Sequence, residues 1–195
     1  MNEIYRLKPS SIFDVCNEEV FLEREDPDHG DYINCRDHYE LFYAISKYYE
    51  PDSILEIGTR NGYSLYSLVM GSDYINTVVG YDKEDDYVAT TIENLSPNIP
   101  SGINFNVEAI DTKEVDELNS NYRLIHIDGD KSFNSTYHDL KLTRGKCRVV
   151  LVSDFYSERS VRDATQRFVY DNKERIKQTH VVESLRGIYI IEYRG

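Results

Sequence analysis

Residues 53–64 restrict the fold more than any other stretch of the sequence. A short apolar run with Glu56 near its end leads directly into Gly58, and Gly62 follows in the same turn. Apolar residues at helical spacing then continue to Val69. This order predicts a strand, a tight turn and a helix. Glycine tolerates positive φ, and the amides that open a helix attract electron-rich groups. The turn therefore has the form of a ligand cradle, although glycines in such turns also serve packing alone.

Later apolar runs of the sequence also end in a carboxylate. The runs that follow the glycine turn end at Asp82, Asp128 and Asp154. Helical patterns separate them, and this alternation predicts an α/β domain with a mostly parallel sheet. Because the carboxyl ends of parallel strands share one edge of a sheet, we expect these carboxylates close to the glycine turn. His126, within one of the runs, is predicted to be a hydrogen-bonded histidine of the core rather than a catalyst.

The last part of the sequence predicts an antiparallel hairpin. Residues 179–184 and 188–193 alternate between apolar and polar side chains around Arg186 and Gly187. A dinucleotide-binding domain would continue with parallel strands and would carry a Gly-x-Gly-x-x-Gly turn. The turn in this sequence has one glycine fewer, so the sequence fits a dinucleotide-binding enzyme poorly.

Taken together, the segments around Glu56, Asp82, Asp128 and Asp154 resemble, in the same order, four signatures of the class I S-adenosylmethionine-dependent methyltransferases. The resemblance runs from about Asp37 to the carboxyl terminus. It implies a Rossmann-like α/β fold with a mostly parallel seven-stranded sheet, helices on both faces and a carboxyl-terminal antiparallel hairpin. It also implies S-adenosylmethionine as the cofactor.

The residues expected to bind this cofactor follow the strand ends and the glycine turn. They are Glu56, Gly58, Thr59, Gly62, Ser64, Asp82, Ile110, Asp111 and Asp128. By the resemblance, Glu56 would accept from the amino group of the methionine part, directly or through water, and Asp82 would accept from the ribose hydroxyls. Ile110 and Asp111 are expected beside the adenine ring.

The segment Asp128-Gly-Asp-Lys131 resembles the small cation-dependent O-methyltransferases. This resemblance implies that Asp128 binds a divalent metal and acts in catalysis, and that Lys131 is the general base or orients the acceptor oxygen. The second metal signature of that group is an Asp-Asn pair. Here the pair is Asp154 and Phe155, so one oxygen ligand is missing. Asp128 and Asp154 are therefore candidate ligands for Mg²⁺, with metal dependence left open.

Length and charge limit the classes of partner. The chain has 195 residues, enough for one α/β domain, and a net charge of −13 from 35 acidic and 22 basic residues. This charge argues against nucleic acid and anionic membranes, and favours a small-molecule acceptor. The three cysteines show no metal spacing and leave one thiol unpaired in any disulfide scheme. With no signal peptide or membrane-length apolar run, a cytoplasmic protein is expected, and a homo-oligomer is left open.

The first part of the sequence, residues 1–36, is polar and weakly periodic, and 37–195 is expected to form the cofactor-binding domain. The polar run 23–30 allows two interpretations of this amino-terminal part, a surface arm and a lid over the substrate. The function also has alternatives. The first is methyl transfer to an oxygen of a small molecule, of the sugar or natural-product type. The second is a protein that binds S-adenosylmethionine as a partner or sensor without chemistry, and the third is an enzyme that uses NAD.

Overall fold

The computed structural model describes residues 2–22 and 32–195 of the chain. Its strands are β1 (Ser53–Ile57), β2 (Thr77–Asp82), β3 (Asn104–Ala109), β4 (Tyr122–Ile127), β5 (Cys147–Val152), β6 (Ile176–Val182) and β7 (Ile188–Tyr193). Within the described residues these seven strands form one sheet in the order β3-β2-β1-β4-β5-β7-β6. The first five are mutually parallel, whereas β7 runs antiparallel to both β5 and β6. The predicted mostly parallel sheet with a terminal hairpin is confirmed.

Helices connect the strands and cover the sheet. They are α1 (Asn2–Leu7), α2 (Glu18–Leu22), α3 (Tyr32–Tyr49), α4 (Tyr63–Met70), α5 (Asp85–Leu95), α6 (Phe133–Leu142) and α7 (Arg159–Asp171). Short 3₁₀ turns lie at Ile12–Asp14 and Thr112–Glu114. Ser132 caps α6, because its hydroxyl accepts the Ser135 N–H at 3.3 Å. None of the helices in residues 2–22 and 32–195 is long and apolar enough to cross a membrane.

Alternating strand residues build a hydrophobic core on each face of the sheet. Ile54 of β1 belongs to a buried cluster that also contains Leu65 of α4. Its neighbour Leu55 belongs to a second cluster, with Leu140 of α6 and Val161 of α7. Successive side chains of a strand point to opposite faces, so helices cover both faces, as predicted.

The amino-terminal segment packs onto this core in its described part. Ile4, Ile12 and Phe21 are each at most 1% exposed and join the cluster of α3 and α4. The weak periodicity of this segment concealed these contacts, because each short element buries only one or two side chains. The boundary drawn after residue 36 falls inside α3, which begins at Tyr32. The predicted lid loop 23–30 lies outside the described residues.

One helix faces the core differently from the prediction. The apolar pattern of α5 predicts Val88, Ile92 and Leu95 on its inner face, but Ile92 is 40% exposed. Leu95 is fully buried, as predicted, and Thr91 is fully buried in place of Ile92. The hydroxyl of Thr91 donates to the backbone oxygen of Arg60 at 2.6 Å, so a polar contact to the glycine turn decides the orientation of α5.

Candidate functional site

A cavity of about 500 Å³ lies at the carboxyl ends of β1, β2, β3 and β4. Its lining combines backbone of the glycine turn with charged side chains of the loops that follow the strands. Those used below are Gly58, Arg60, Asp82, Tyr87, Ile110, Asp111, Thr112, Lys113, Asp128, Asp130 and Lys131. We call the part around Asp82 and Ile110 the Asp82 end. The part around Lys131, with the side chains that contact it, is the Lys131 end.

The glycine turn holds two neighbouring loops in close contact. Gly58 has a φ of 88°, and its N–H donates to Tyr81 O at 2.7 Å. A Cβ on Gly58 would lie 2.7 Å from the backbone of Asp128. Gly62, at φ 80°, opens α4, and a Cβ there would lie 2.6 Å from Leu95 Cδ1. Gly58 thus serves both the cavity wall and packing, whereas Gly62 does not line the cavity and is required by its φ and by packing.

Backbone amides hold the carboxylate of Asp82 at the cavity wall. The Arg60 N–H donates to Asp82 Oδ2 at 2.9 Å, and the Glu84 N–H donates to Oδ1 at 3.1 Å. Arg60 has a φ of 48°, which turns the backbone toward Asp82. Its guanidinium lies 5.7 Å from the ring centroid of Tyr87. The sequence prediction found Asp82 but missed Arg60 and Tyr87, since only the fold brings them together.

Glu56 lies behind the cavity rather than on its wall. It is fully buried, and its Oε1 accepts from the Ser64 hydroxyl at 2.7 Å and is hydrogen-bonded to His126 Nδ1 at 2.5 Å. Its second oxygen, Oε2, has no hydrogen-bond partner among the described residues. Burial raises the pKa of Glu56, although the contacts with His126 and Ser64 oppose this shift. Ser64 also lies off the cavity wall.

A chain of polar side chains continues from Glu56 through the core. The other ring nitrogen of His126, Nε2, is hydrogen-bonded to Ser153 Oγ at 2.7 Å, which confirms His126 as a hydrogen-bonded core histidine. Ser153 Oγ lies 3.5 Å from His38 Nε2, and His38 Nδ1 lies 3.3 Å from Ser184 Oγ. Burial lowers the pKa of His38 to about 4. The chain thus connects the glycine turn to the β6–β7 turn.

The loop after β3 completes the Asp82 end. The Ile110 N–H donates to Asp82 O at 2.7 Å, and Asp111 caps the following 3₁₀ turn by accepting from the Lys113 N–H at 3.0 Å. From α6, Asp139 accepts from the Thr112 hydroxyl at 2.7 Å. Burial raises the pKa of Asp139 to about 6. Ile110 and Asp111 therefore line the cavity on a loop that α6 anchors, and their contact with an adenine ring stays a prediction.

Opposite charges meet at the Lys131 end. Lys131 Nζ contacts Asp128 Oδ1 and lies 2.8 Å from Asp154 Oδ2. On the other oxygen of Asp154, the Ser157 hydroxyl donates at 3.0 Å and Arg186 Nη1 lies at 3.6 Å. Burial by itself would lower the pKa of Lys131, but the two carboxylates outweigh it and raise the pKa. The sequence prediction missed Arg186, because it reaches the site from the distant β6–β7 turn.

The donor set at this end does not fit a divalent metal. Asp128 and Asp154 already hold Lys131 between them, and the described residues contain no group of three or more acidic, histidine or cysteine side chains able to hold a metal ion. Phe155 presents a buried ring instead of a third oxygen. Mg²⁺ requires near-octahedral oxygen ligands, and this cluster offers two carboxylates that are already paired with cations.

The predicted site residues divide into two groups. Those that line the cavity are Gly58, Asp82, Ile110, Asp111, Asp128 and Lys131. Those behind its wall are Glu56, Thr59, Gly62, Ser64 and Asp154. Thr59 is buried, and its hydroxyl lies 3.3 Å from that of Thr91. The fold therefore brings the first group together in a single cavity, as expected for residues at neighbouring strand ends, and the second group does not line that cavity.

Comparisons with known proteins identify the fold. The O-methyltransferase TomG of Streptomyces achromogenes, involved in tomaymycin synthesis and solved with S-adenosylmethionine, is 15% identical; the match covers 100% of each chain, with a TM-score of 0.66. An O-methyltransferase of Bacillus cereus with bound S-adenosylhomocysteine is 18% identical over 80% of each chain, with a TM-score of 0.63. The chain has the class I methyltransferase fold. The Podospora anserina methyltransferase PaMTH1, also bound to S-adenosylhomocysteine, is 17% identical over 82% of this chain and 79% of its own, with a TM-score of 0.60. The sequence matches no protein-family model and no curated protein.

Proposed function

We propose that this chain is an S-adenosylmethionine-dependent methyltransferase that methylates an oxygen of a small molecule. The observation that carries the proposal is the cavity, which joins Asp82 and Lys131 in one pocket at the carboxyl edge of the sheet. Structures of similar fold with bound S-adenosylmethionine or S-adenosylhomocysteine support the choice of cofactor. The same two structures are O-methyltransferases, which supports oxygen as the acceptor atom.

Several features of the chain fit the cofactor. The cavity volume, about 500 Å³, is typical of small-ligand sites, which range from about 300 to 1,000 Å³. Each oxygen of Asp82 accepts one backbone N–H and keeps a lone pair for a ribose hydroxyl. Glu56 Oε2 is buried without a partner in the described part of the chain. A buried acceptor needs a donor, and the ammonium of the methionine part is a donor of the right charge. Because Glu56 lies behind the cavity wall, the ammonium would reach it directly or through a water molecule.

The Lys131 end supports the chemistry. When bound, S-adenosylmethionine supplies a methyl group that an acceptor oxygen takes in line, as the carbon–sulfur bond breaks and the acceptor proton is released. The ammonium of Lys131 lies at the cavity wall and has N–H donors that would orient the acceptor oxygen. Its raised pKa keeps it protonated, which favours orientation over the alternative role of general base.

A small acceptor fits the rest of the molecule better than a polyanion. The net charge of −13 opposes a phosphate backbone at the surface. One neighbour takes part in tomaymycin synthesis, which supports the natural-product type of acceptor. The competing function, a protein that binds S-adenosylmethionine without chemistry, would share the Asp82 end and differ only at the Lys131 end.

Calorimetric titration of the purified chain with S-adenosylhomocysteine and with NAD tests the cofactor. We expect binding of S-adenosylhomocysteine alone. Asp82→Ala should weaken it about tenfold or more, because buried ribose hydroxyls lose a charged partner worth about 1.5–3 kcal/mol. Asp85→Ala is the matched control, since Asp85 is exposed on the adjacent helix α5 and does not line the cavity.

Two outcomes of this titration contradict the cofactor assignment. An unchanged affinity in folded Asp82→Ala protein would remove the cofactor assignment, and binding of NAD in place of S-adenosylhomocysteine would favour the dinucleotide enzyme. Methyl transfer is tested separately, by following tritium from labelled S-adenosylmethionine into a panel of phenols, sugars and carboxylic acids. Cofactor binding without transfer to any of them would favour the binding protein.

A further inference from the structure

The position between Asp128 and Asp154 is filled by an ammonium group. Lys131 Nζ contacts Asp128 Oδ1, also donates to the backbone oxygen of Asp128 at 3.1 Å, and lies 2.8 Å from Asp154 Oδ2. These two carboxylates are the ones that the sequence resemblance assigns to a divalent metal. One cation already bridges them, and that cation belongs to the chain.

The remaining oxygen of Asp154 is also occupied. The Ser157 hydroxyl donates to Oδ1 at 3.0 Å, and Arg186 Nη1 lies 3.6 Å from the same atom. Asp154 has a φ of 60°, a backbone conformation that fixes the direction of this carboxylate at the start of the loop. Both oxygens of Asp154 therefore face donors of the protein, and a metal would have to displace them.

Phe155 occupies the position at which the resembled metal signature has its third oxygen ligand. Phe155 is 5% exposed, and its ring centroid lies 4.5 Å from that of Tyr189 on β7. A packed aromatic ring supplies no oxygen to a metal, and it restricts the room for the waters that Mg²⁺ normally keeps. Phe155, at the position where the resembled signature has asparagine, is thus part of the packing between the loop after β5 and β7.

The charges of the cluster balance without a metal. Asp128 and Asp154 carry two negative charges, and Lys131 and Arg186 carry two positive charges. A divalent ion added to this neutral group would meet two cations close to its ligands, whereas two unpaired carboxylates would attract it.

We propose that the ammonium of Lys131 takes the place of the divalent cation of the cation-dependent O-methyltransferases that this segment resembles, so that this site works without metal. The ammonium ties the loop after β4 to the loop after β5, as a bridging ion would. The N–H that donates to the backbone oxygen of Asp128 at 3.1 Å is the one that would turn to donate to the acceptor oxygen. The absence of a metal requirement is inferred only from the contacts among Lys131, Asp128, Asp154 and Arg186. The contact with an acceptor oxygen rests in addition on the proposed methyltransferase function.

Manganese binding tests the proposal without any need for turnover. Mn²⁺ is a paramagnetic substitute for Mg²⁺, so electron paramagnetic resonance measures its free and bound fractions directly. We expect no bound Mn²⁺ in the wild-type chain at about 1 mM, the weak end of oxygen-ligand cation sites in proteins. In Lys131→Ala the two carboxylates lose their bridge, and we expect measurable binding. The double variant Lys131→Ala/Phe155→Asn regains a third oxygen and should bind more tightly still.

A second lysine of the cavity provides the matched control. Lys113 forms an ion pair with Asp130 at 2.7 Å, yet no second carboxylate is paired with its ammonium by a salt bridge among the described residues. Lys113→Ala removes one positive charge from the same cavity and should bind no more Mn²⁺ than the wild type. This control separates the loss of a bridge from a general change in charge. Circular dichroism checks that each variant is folded, and Lys131→Met, which keeps the length of the stem, replaces Lys131→Ala if that variant unfolds.

Each result decides for or against the proposal. No binding by the wild type together with a gain in the Lys131 variants supports it. Stoichiometric binding of Mn²⁺ by the wild type at about 1 mM, competed by Mg²⁺, overturns it. Absence of binding in both the wild type and the Lys131 variants also overturns it, because the ammonium would then not be what occupies the metal position. Where turnover is measurable, a chelator should leave it unchanged, and a loss of turnover in the chelator contradicts the proposal even if methyl transfer itself is established.

Discussion

At the Asp82 end of the cavity, backbone amides hold a carboxylate, whereas at the Lys131 end charged side chains hold one another. Asp82 accepts from two backbone N–H groups of the turns that follow β1 and β2. Lys131 instead bridges Asp128 and Asp154, and Arg186 lies on the far side of Asp154. The first arrangement depends on the path of the chain, and the second depends on which side chains the fold brings together.

The backbone fold determines the contacts at the Asp82 end, whereas the particular side chains of this sequence determine the contacts at the Lys131 end. Any sequence whose backbone turns sharply after β1 can direct a backbone N–H at Asp82. This end of the cavity is therefore suited to a ligand that different sequences with this fold can share. The Lys131 end depends on Phe155 and Arg186, which a relative can replace without changing the path. We therefore expect the Asp82 end to respond to changes in backbone, and the Lys131 end to changes in charge.

The largest expected effect is that of a single methyl group in the glycine turn, where the loop of the Asp82 end contacts the loop after β4. In Gly58→Ala the new Cβ would lie 2.7 Å from the backbone of Asp128, and the residue would keep a φ of 88°. Positive φ costs about 1–3 kcal/mol and overpacking about 1–3 kcal/mol, so the free energy of unfolding should fall by about 2–6 kcal/mol. Urea denaturation measures it. Gly102→Ala is the control, since its φ is 97° and no atom lies within 4 Å of its added Cβ. Equal losses in the two variants would show that contact between the loops is not what requires Gly58.

A change of charge at the Lys131 end should act on turnover instead. Lys131→Ala would remove the ammonium that we propose as the group orienting the acceptor oxygen, and the loss of such a positioned donor should lower turnover by about 100-fold. The affinity for S-adenosylhomocysteine should stay within about twofold, since Asp82 keeps its amides. Steady-state kinetics and calorimetry measure the two quantities. Lys141→Ala, an exposed lysine on α6, is the control. Wild-type turnover in Lys131→Ala would remove Lys131 from the chemistry and weaken the distinction between the two ends.

The fold follows from the sequence to the extent that local patterns determine it. The strands β1, β2, β4 and β5 are apolar runs that end at, or one or two residues before, a glycine or a carboxylate. The hairpin has its turn at Arg186 and Gly187. These four strands and the hairpin were therefore predictable. The amino-terminal helices were not, because Ile4, Ile12 and Phe21 become recognisable as core residues only when the sheet and α3 are present. The inner face of α5 was misjudged for a related reason. A hydroxyl, Thr91, is buried there by a hydrogen bond that hydrophobic periodicity does not register.

The site was predictable where strand ends define it. Asp82, Asp128 and Lys131 lie on the cavity wall because parallel strands bring their carboxyl ends together. Arg186 was missed, since its contact with Asp154 spans a long stretch of sequence and depends on the reversal of β7. The relation of Glu56 to His126 was missed for the same reason, because the pairing of β1 with β4 sets these side chains opposite each other.

The smallest expected effect concerns Asp139, which anchors the Asp82 end through the Thr112 hydroxyl. Burial raises the pKa of Asp139 from 3.8 to about 6. A carboxyl whose pKa is higher in the folded state is harder to ionise there than in the unfolded chain. Below about pH 3.8 Asp139 is protonated in both states and does not lower the free energy of unfolding. As the pH rises the free energy of unfolding falls, and the fall is complete above about pH 6.

Asp139→Asn removes this loss while keeping an oxygen that can accept from Thr112. The free energy of unfolding of the variant relative to the wild type should therefore increase by about 1.4 kcal/mol between pH 5 and pH 8, whatever the constant effect of the amide. Urea denaturation at the two pH values measures this difference, and Asp116→Asn, at an exposed acid, should give none. A difference that stays constant with pH would mean that Asp139 titrates alike in the folded and unfolded chains. Asp139 would then stabilise the Asp82 end only through its hydrogen bond with Thr112, and its charge would not affect stability.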